Sequence, residues 1–202
     1  MDKLSLLQEH KETIGRPVYE YFFLISPDLS VKKVVKEMKN KLHKEIGLSK
    51  ADLVSVPHIS LFKTRAVQEK LDISRFAEAL SKTPAFEITI CGHGIFEQYN
   101  SKRTLYLKLK EKESVRSIFY NLLESKGDNS QPEFIPHLTI ARNIGAESLN
   151  RLNLSEFDYH GEFYCDRITV LRKAIYKMDF PLGAYELYDE IHLLKGTNLF
   201  FS

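Results

Sequence analysis

The sequence predicts an α+β fold of two pseudo-symmetric lobes, each an antiparallel sheet with flanking helices, around a central cleft. Three observations predict it. A short pattern occurs twice, as Pro57-His58-Ile59-Ser60-Leu61 and Pro136-His137-Leu138-Thr139-Ile140. Each copy follows an amphipathic stretch of helical length, and each such stretch follows an alternating strand. Strand, helix, histidine strand thus occurs twice, and two similar units that each bury one apolar face meet as packed layers with a cleft between them.

The elements follow in order. Tyr19 to Ser26 reads as a strand. From about Ser30 to Ile46, Val31, Val34, Val35, Met38, Leu42 and Ile46 recur at helical spacing, and Gly47 ends the helix. Lys32, Lys33, Lys36, Lys39, Lys41 and Lys44 interleave with them and read as a solvated face. After the first histidine strand, Ile73, Phe76, Ala77 and Leu80 predict a short helix with Asp72 as its N-cap. Phe86, Ile88 and Ile90 alternate in a strand running toward Phe96, and Leu105, Leu107 and Leu109 alternate in the next. A helix from about Glu111 to Ser125 carries Val115, Ile118, Phe119, Leu122 and Leu123. The polar loop Gly127 to Glu133 leads to the second histidine strand, Pro136 to Arg142. A polar, Asn-rich stretch runs to about Asp158, with strands near Gly161 to Arg172 and Ala184 to Leu194. Residues 1–16 read as an N-terminal extension, and 17–202 as a single bilobed domain whose apolar tail, Leu199-Phe200-Phe201, packs on its own body.

Composition narrows the class. With 202 residues, 43% apolar and 28% charged, the chain can bury a core of its own. A net charge of +2 excludes a global basic field, so any nucleic-acid contact must be local. No apolar run approaches a membrane span, Met1 to Gly15 has no signal-peptide core, and Cys91 and Cys165 are too few for a disulfide scaffold. A cytoplasmic setting follows as the expectation, with the cysteines as small strand residues.

Within each motif, period-two alternation puts the histidine and the hydroxyl on one face and the apolar residues on the other. His58 with Ser60, and His137 with Thr139, each offer one titratable group and one neutral donor about 6.5 Å apart along the strand, a spacing that reaches different oxygens of one phosphate. An imidazole serves as acid or base near neutral pH, so two of them suggest paired proton transfers at one phosphorus.

These motifs, the strand Leu105-Tyr106-Leu107-Lys108-Leu109 ahead of the second, Arg142 closing it and the late strand Ile168-Thr169-Val170-Leu171 resemble the two-histidine phosphoesterase superfamily, in its RNA 2′,3′-cyclic phosphodiesterase and 2′-5′ RNA ligase-like branch. The resemblance spans roughly residues 17 to 194. It implies a pseudo-twofold pair of lobes with the motifs facing each other across a water-filled cleft, and hydrolysis of a 2′,3′-cyclic phosphate to a 2′-phosphate without metal or cofactor. His58 and His137 would be catalytic, and Ser60 and Thr139 would hold the phosphate. The substrate would be an RNA terminus or a small cyclic nucleotide, and the reverse reaction would be 2′-5′ ligation. Ser60 stands where the family often has Thr, which keeps the hydroxyl. Residues 1–16 and 143–160 look like added material.

Other features stay open. Arg142 is divided between gripping a phosphate and pairing with a carboxylate. Tyr19, Tyr21, Phe23 and Phe62 are stacking candidates, but core packing or strand propensity explains each of them better. His93, between Gly92 and Gly94, reads as a turn or bulge with a solvated histidine, while His160 and His192 lack partners at metal-ligand spacing. The rival functions are a module that binds a nucleotide or RNA terminus with little catalysis, and a hydrolase of 2′-5′-linked or signalling oligonucleotides.

Overall fold

The computed structural model describes residues 18–67, 70–98, 101–175 and 183–195. The expected extension and the apolar tail lie outside these residues. Eight antiparallel strands form one curled sheet: β1 (Val18–Ile25), β2 (Ile59–Ala66), β3 (Phe86–Glu97), β4 (Lys102–Leu109), β5 (His137–Gly145), β6 (His160–Cys165), β7 (Arg167–Ile175) and β8 (Glu186–His192). Their order is β6-β3-β4-β5-β2-β1-β7-β8. Read outward from the centre, β2-β1-β7-β8 and β5-β4-β3-β6 are two matching halves, with the histidine strands innermost. One rung, Ile59 opposite Leu138, joins them. The expected pair of lobes is therefore present, fused through a single bridge.

Five helices accompany the strands among the described residues: α1 (Leu29–Ile46), α2 (Lys50–Val54), α3 (Ser74–Leu80), α4 (Glu113–Ser125) and α5 (Ala146–Asn150). Helix α1 begins where Asp28 accepts the Val31 N–H at 2.9 Å and ends at Gly47, whose φ of 68° suits a residue without Cβ. The apolar stripe of α4, Val115, Ile118, Phe119, Leu122 and Leu123, is buried as its spacing requires. The two long helices exchange sides. Helix α1, which follows β1, packs on β5 and β6, whereas α4, which follows β4, packs on β2. This exchange runs one core under both halves. Tyr21, Phe23 and Ile25 of β1 meet Ile59, Leu105, Leu107, Leu138 and Ile140 there. Each large apolar side chain so buried contributes roughly 1.5–3 kcal/mol.

Core packing is borne out for three aromatic residues, and three other expectations need correction. Tyr21, Phe23 and Phe62 are buried in this core, with Phe23 and Phe62 ringing Phe76, so none of the three is a stacking platform. Lys39 leaves the solvated basic face of α1: it is 2% exposed, because it lies four residues after Val35 and three before Leu42, on the apolar stripe. The stretch after Asn143 holds α5 and a 3-10 turn (Leu154–Phe157), which insert Leu149 and Phe157 into the core. Helix α3 starts one residue later than an Asp72 cap requires, although Asp72 does accept the Ser74 N–H at 3.0 Å. Cys91 lies in β3 and Cys165 in β6, both as free thiols; burial pushes the Cys165 thiol up to about 12. The Gly161 to Arg172 segment divides at Asp166 into β6, paired with β3, and β7, paired with β1. The chain thus returns to the first half at its end.

Candidate active site

The single rung between the halves fixes where the motifs meet. Because β2 and β5 are antiparallel through Ile59 and Leu138, His58 and Thr139 flank that rung on one side and Ser60 and His137 on the other. Ile59 and Leu138 are fully buried toward the helices. Period-two alternation then turns all four signature side chains to the opposite face, as the corners of one quadrilateral. The histidines occupy diagonal corners, about 7–8 Å apart in regular sheet geometry. A phosphate between them would have an imidazole on each side and a hydroxyl beside each imidazole.

The two imidazoles are held alike. His58 Nδ1 lies 2.8 Å from the Val56 carbonyl and His137 Nδ1 lies 2.8 Å from the Ile135 carbonyl, each two residues upstream. A carbonyl only accepts, so Nδ1 carries the proton in both rings and Nε2 is left for chemistry. Aromatic edges fix the ring planes. Phe22 meets His58 at 5.2 Å, while Phe96 and Tyr106 meet His137 at 4.9 and 5.3 Å. Burial holds both imidazoles below their ordinary pKa even though the carbonyl bonds favour the charged form. The charge of Arg142 adds to this at both, and the charges of Lys39 and Lys63 add at His58 alone.

Each histidine strand carries a bulge at the same offset. Phe62 pairs with Phe23 and Ser60 with Leu24, which leaves Leu61 as the extra residue; Ala141 pairs with Leu105 and Thr139 with Tyr106, which leaves Ile140. Both are the third residue after the histidine. An extra residue reverses the alternation, so the fifth residue after each histidine returns to the site's face: Lys63 in β2 and Arg142 in β5. Arg142 also donates its backbone N–H to Asp52 Oδ1 at 3.3 Å, which ties β5 to α2.

The sequence reading missed the side chains that wall the site. Beside His137, Phe96 stacks on Tyr106 at 4.0 Å, and Lys108 lies opposite His137. Beside His58 is Phe22, and Tyr185 lies 5.6 Å from Phe22 in turn. Strand parity could have found two of them. Odd positions of β1 and β4 fill the core, so Phe22 and Tyr106 must face the other way. Lys39 was also missed as a support; its ammonium donates to the Asp52 carbonyl at 3.0 Å, the Ser55 carbonyl at 2.7 Å and Ser55 Oγ at 2.6 Å. It thereby pins the segment that offers the Val56 carbonyl to His58.

Gly94 admits the Tyr106 ring, since a Cβ there would fall 2.5 Å from Tyr106 Cζ. On a cyclic nucleotide, the substrate class that the sequence resemblance implies, we expect Gly94→Ala to displace that ring from His137 and lower kcat/KM by up to about 10²-fold, with the thermal midpoint changed far less. Wild-type turnover in this variant would show that Tyr106 is no wall of the site.

Away from the site, His93 lies in a bulge of β3 and is paired rather than solvated, with Nδ1 2.6 Å from Asp158 Oδ1. His160 and His192 are exposed. Among the described residues no group of three or more His, Cys, Asp or Glu side chains converges as a metal site would, and no helix is long and apolar enough to cross a membrane.

Comparison with known proteins agrees with this architecture. LigT of E. coli in its apo form superimposes with a TM-score of 0.59 at 14% identity, covering 90% of this chain and 100% of LigT. TT0787 of Thermus thermophilus does so with a TM-score of 0.56 at 16% identity, covering 88% of this chain and 99% of that one. No curated protein matches the chain. The family model of the 2′-5′ RNA ligase superfamily matches residues 27–174, a stretch that contains both histidine strands and both bulges. The chain belongs to that superfamily of two-histidine phosphoesterases and ligases.

Proposed function

We propose that the chain is a metal-independent phosphodiesterase that opens 2′,3′-cyclic phosphates, at RNA ends or on small nucleotides, to 2′-phosphates. The observation that carries this reading is the matched anchoring of His58 and His137, which leaves two Nε2 atoms at diagonal corners of one site. One Nε2 takes a proton from water as the water oxygen bonds to phosphorus. The bond from phosphorus to the ribose 3′ oxygen breaks, and the other Nε2–H gives that oxygen its proton. Ser60 and Thr139 donate to the nonbridging oxygens, and Arg142 offsets the charge that grows on them. With a ribose 5′-hydroxyl in place of water, the same transfers form a 2′-5′ linkage. Complexes of E. coli LigT with phosphate, 3′-AMP and ATP support a phosphate-bearing ligand for this chain as well.

Roles can be assigned to the two histidines. Three cations, Arg142, Lys39 and Lys63, oppose protonation of His58, and only Arg142 opposes it at His137. This asymmetry favours the neutral ring at His58, and on it we take His58 as the base and His137 as the acid, an assignment that a substrate with an activated leaving group tests.

The test is hydrolysis of a nucleoside 2′,3′-cyclic monophosphate in chelator across pH. Both free-enzyme pKa values lie below the ordinary value of about 6.5, so the bell of kcat/KM should peak on the acidic side of it. The anionic substrate favours the imidazolium, so the alkaline limb of kcat should lie at higher pH than that of kcat/KM. Activity abolished by chelator, or a kcat/KM optimum above about pH 8, would refute the reading.

A further inference from the structure

The two halves match at the histidines and differ in the walls beyond them. In the second half the wall is the stacked pair Phe96 and Tyr106. In the first half, the bulge at Leu61 brings Lys63 and then Arg65 onto the face of His58 and Ser60, in line along β2. Their cross-strand neighbours complete a patch. Glu20 of β1 lies opposite both Arg65 and Lys173, and Phe22 lies opposite Lys63. The equivalent position of β5, two residues past Arg142, holds the buried Ile144. Along the histidine strands themselves, β2 therefore carries a further cation where β5 carries a buried apolar residue.

Charge and distance show what the patch offers. Glu20 is buried, with Lys173, Lys63 and Arg65 at 3.3, 3.5 and 3.6 Å from its carboxylate. None closes to the ~2.7–2.9 Å of a tight charge-assisted hydrogen bond. The close bond of Glu20 goes instead to the Tyr185 hydroxyl. Burial would raise the Glu20 carboxyl, but Tyr185, Lys63 and Lys173 outweigh it and hold it below its ordinary value, so it stays ionised. Lys63 and Lys173 thus share the one Glu20 carboxylate, and the pair carries about one positive charge in excess of it. Lys63 Nζ sits over the Phe22 ring at 4.6 Å and Lys173 Nζ over the Tyr185 ring at 4.5 Å, contacts that hold the ammonium groups in place without neutralising them.

We propose that Lys63 and Lys173, oriented by Glu20 and Tyr185, form a second phosphate-binding site, which takes a phosphate of the substrate other than the one that reacts. The inference rests on the reading of His58 and His137 as the cyclic-phosphate site. Lys63 stands about 6.5 Å along β2 from Ser60, comparable to the span of a ribose and the phosphate on its 5′ oxygen, and the Lys173 ammonium converges with that of Lys63 on Glu20 Oε1. A nucleotide with a 5′-phosphate or 5′-phosphodiester spans both sites; a nucleoside cyclic monophosphate fills only one.

The experiment compares a nucleoside 2′,3′-cyclic monophosphate with the same nucleotide bearing a 5′-phosphate. Wild type should show roughly tenfold higher kcat/KM on the second, with a steeper fall in added salt. Lys63→Ala/Lys173→Ala should bring the ratio to within about twofold, and the singly substituted Lys63→Gln should lower it part of the way. Lys33→Ala, which removes one charge from the outer face of α1, should leave it unchanged. Equal kcat/KM on the two substrates in wild type overturns the second site while the cyclic phosphodiesterase stands. Calorimetry with the 2′-phosphate and the 2′,5′-bisphosphate as ligands separates the two ideas. A binding preference for the bisphosphate that the double variant loses, without turnover of either substrate, supports the second site and refutes the chemistry assigned to the histidines. Equal affinity for both ligands refutes the second site whatever the turnover.

Discussion

Replacing either His58 or His137 by alanine is expected to lower hydrolysis of a nucleoside 2′,3′-cyclic phosphate by about 10²-fold or more, and replacing both should cost little beyond either one, because the two act as a unit. The fold should survive, since both rings lie on the sheet face away from the helices and neither belongs to the buried core. A circular-dichroism melt within a few degrees of wild type would establish that. The assignment of roles adds a sharper expectation. An activated aryl phosphodiester has a leaving group that needs no proton, so the acid becomes dispensable and the base does not. His137→Ala should therefore recover most of its loss on such a substrate, and His58→Ala should not. The reverse pattern would exchange the two roles, and additive losses in the double variant would argue against a shared transition state. Ser60→Ala and Thr139→Ala should be milder, because each removes one neutral donor and leaves both proton transfers in place.

Much of this was legible in the sequence because the chain says it twice. The duplicated order of elements, the apolar stripes of α1 and α4 and the two motifs follow from periods that a single strand or helix displays. What escaped depended on a break in period or on partners distant in sequence. Strict alternation from His58 through Ser60 places Phe62 on the site's face and Lys63 on the core's; the bulge at Leu61 reverses this, and only the pairing with β1 reveals it. The same holds at Ile140 for Arg142. Asn143 to Asp158 reads as polar decoration because Leu149 and Phe157 are isolated apolar residues, yet each finds a place in the core. Tyr185 is separated by most of the chain from Glu20, the group it meets, and no local pattern could join them.

Lys39 gives the second large effect, and its sign depends on pH. Its burial on the α1 stripe pushes the ammonium pKa down to about 8, against the attraction of Asp52 and with the repulsion of Arg142. The unfolded chain, with an ordinary lysine near 10.4, then binds more protons than the folded one between about pH 8 and 10.4, so this residue makes stability rise with pH across that window. At about pH 7 the folded state carries a buried charge at a cost; at about pH 9.5 it holds largely neutral amine that still donates to Ser55. Lys39→Met removes the charge and the donors together. It deprives the Ser55 carbonyl of its Lys39 partner, a loss of about 1–3 kcal/mol. Near neutral pH, relief of the buried charge offsets part of that loss. The variant should thus be less stable than wild type by a margin that grows between about pH 7 and pH 9.5, as read from urea midpoints. Turnover reports the other half of the role. With Ser55 released, the segment that offers the Val56 carbonyl loses its support, and His58 Nδ1 loses a fixed acceptor. We expect kcat/KM to fall by about tenfold, with the acid limb of the pH profile displaced, because the Lys39 charge that opposes protonation of His58 is gone and the geometry that sets the His58 tautomer has loosened. A margin of stability that is constant with pH would refute the buried, depressed ammonium, and an unchanged acid limb would limit Lys39 to holding the fold.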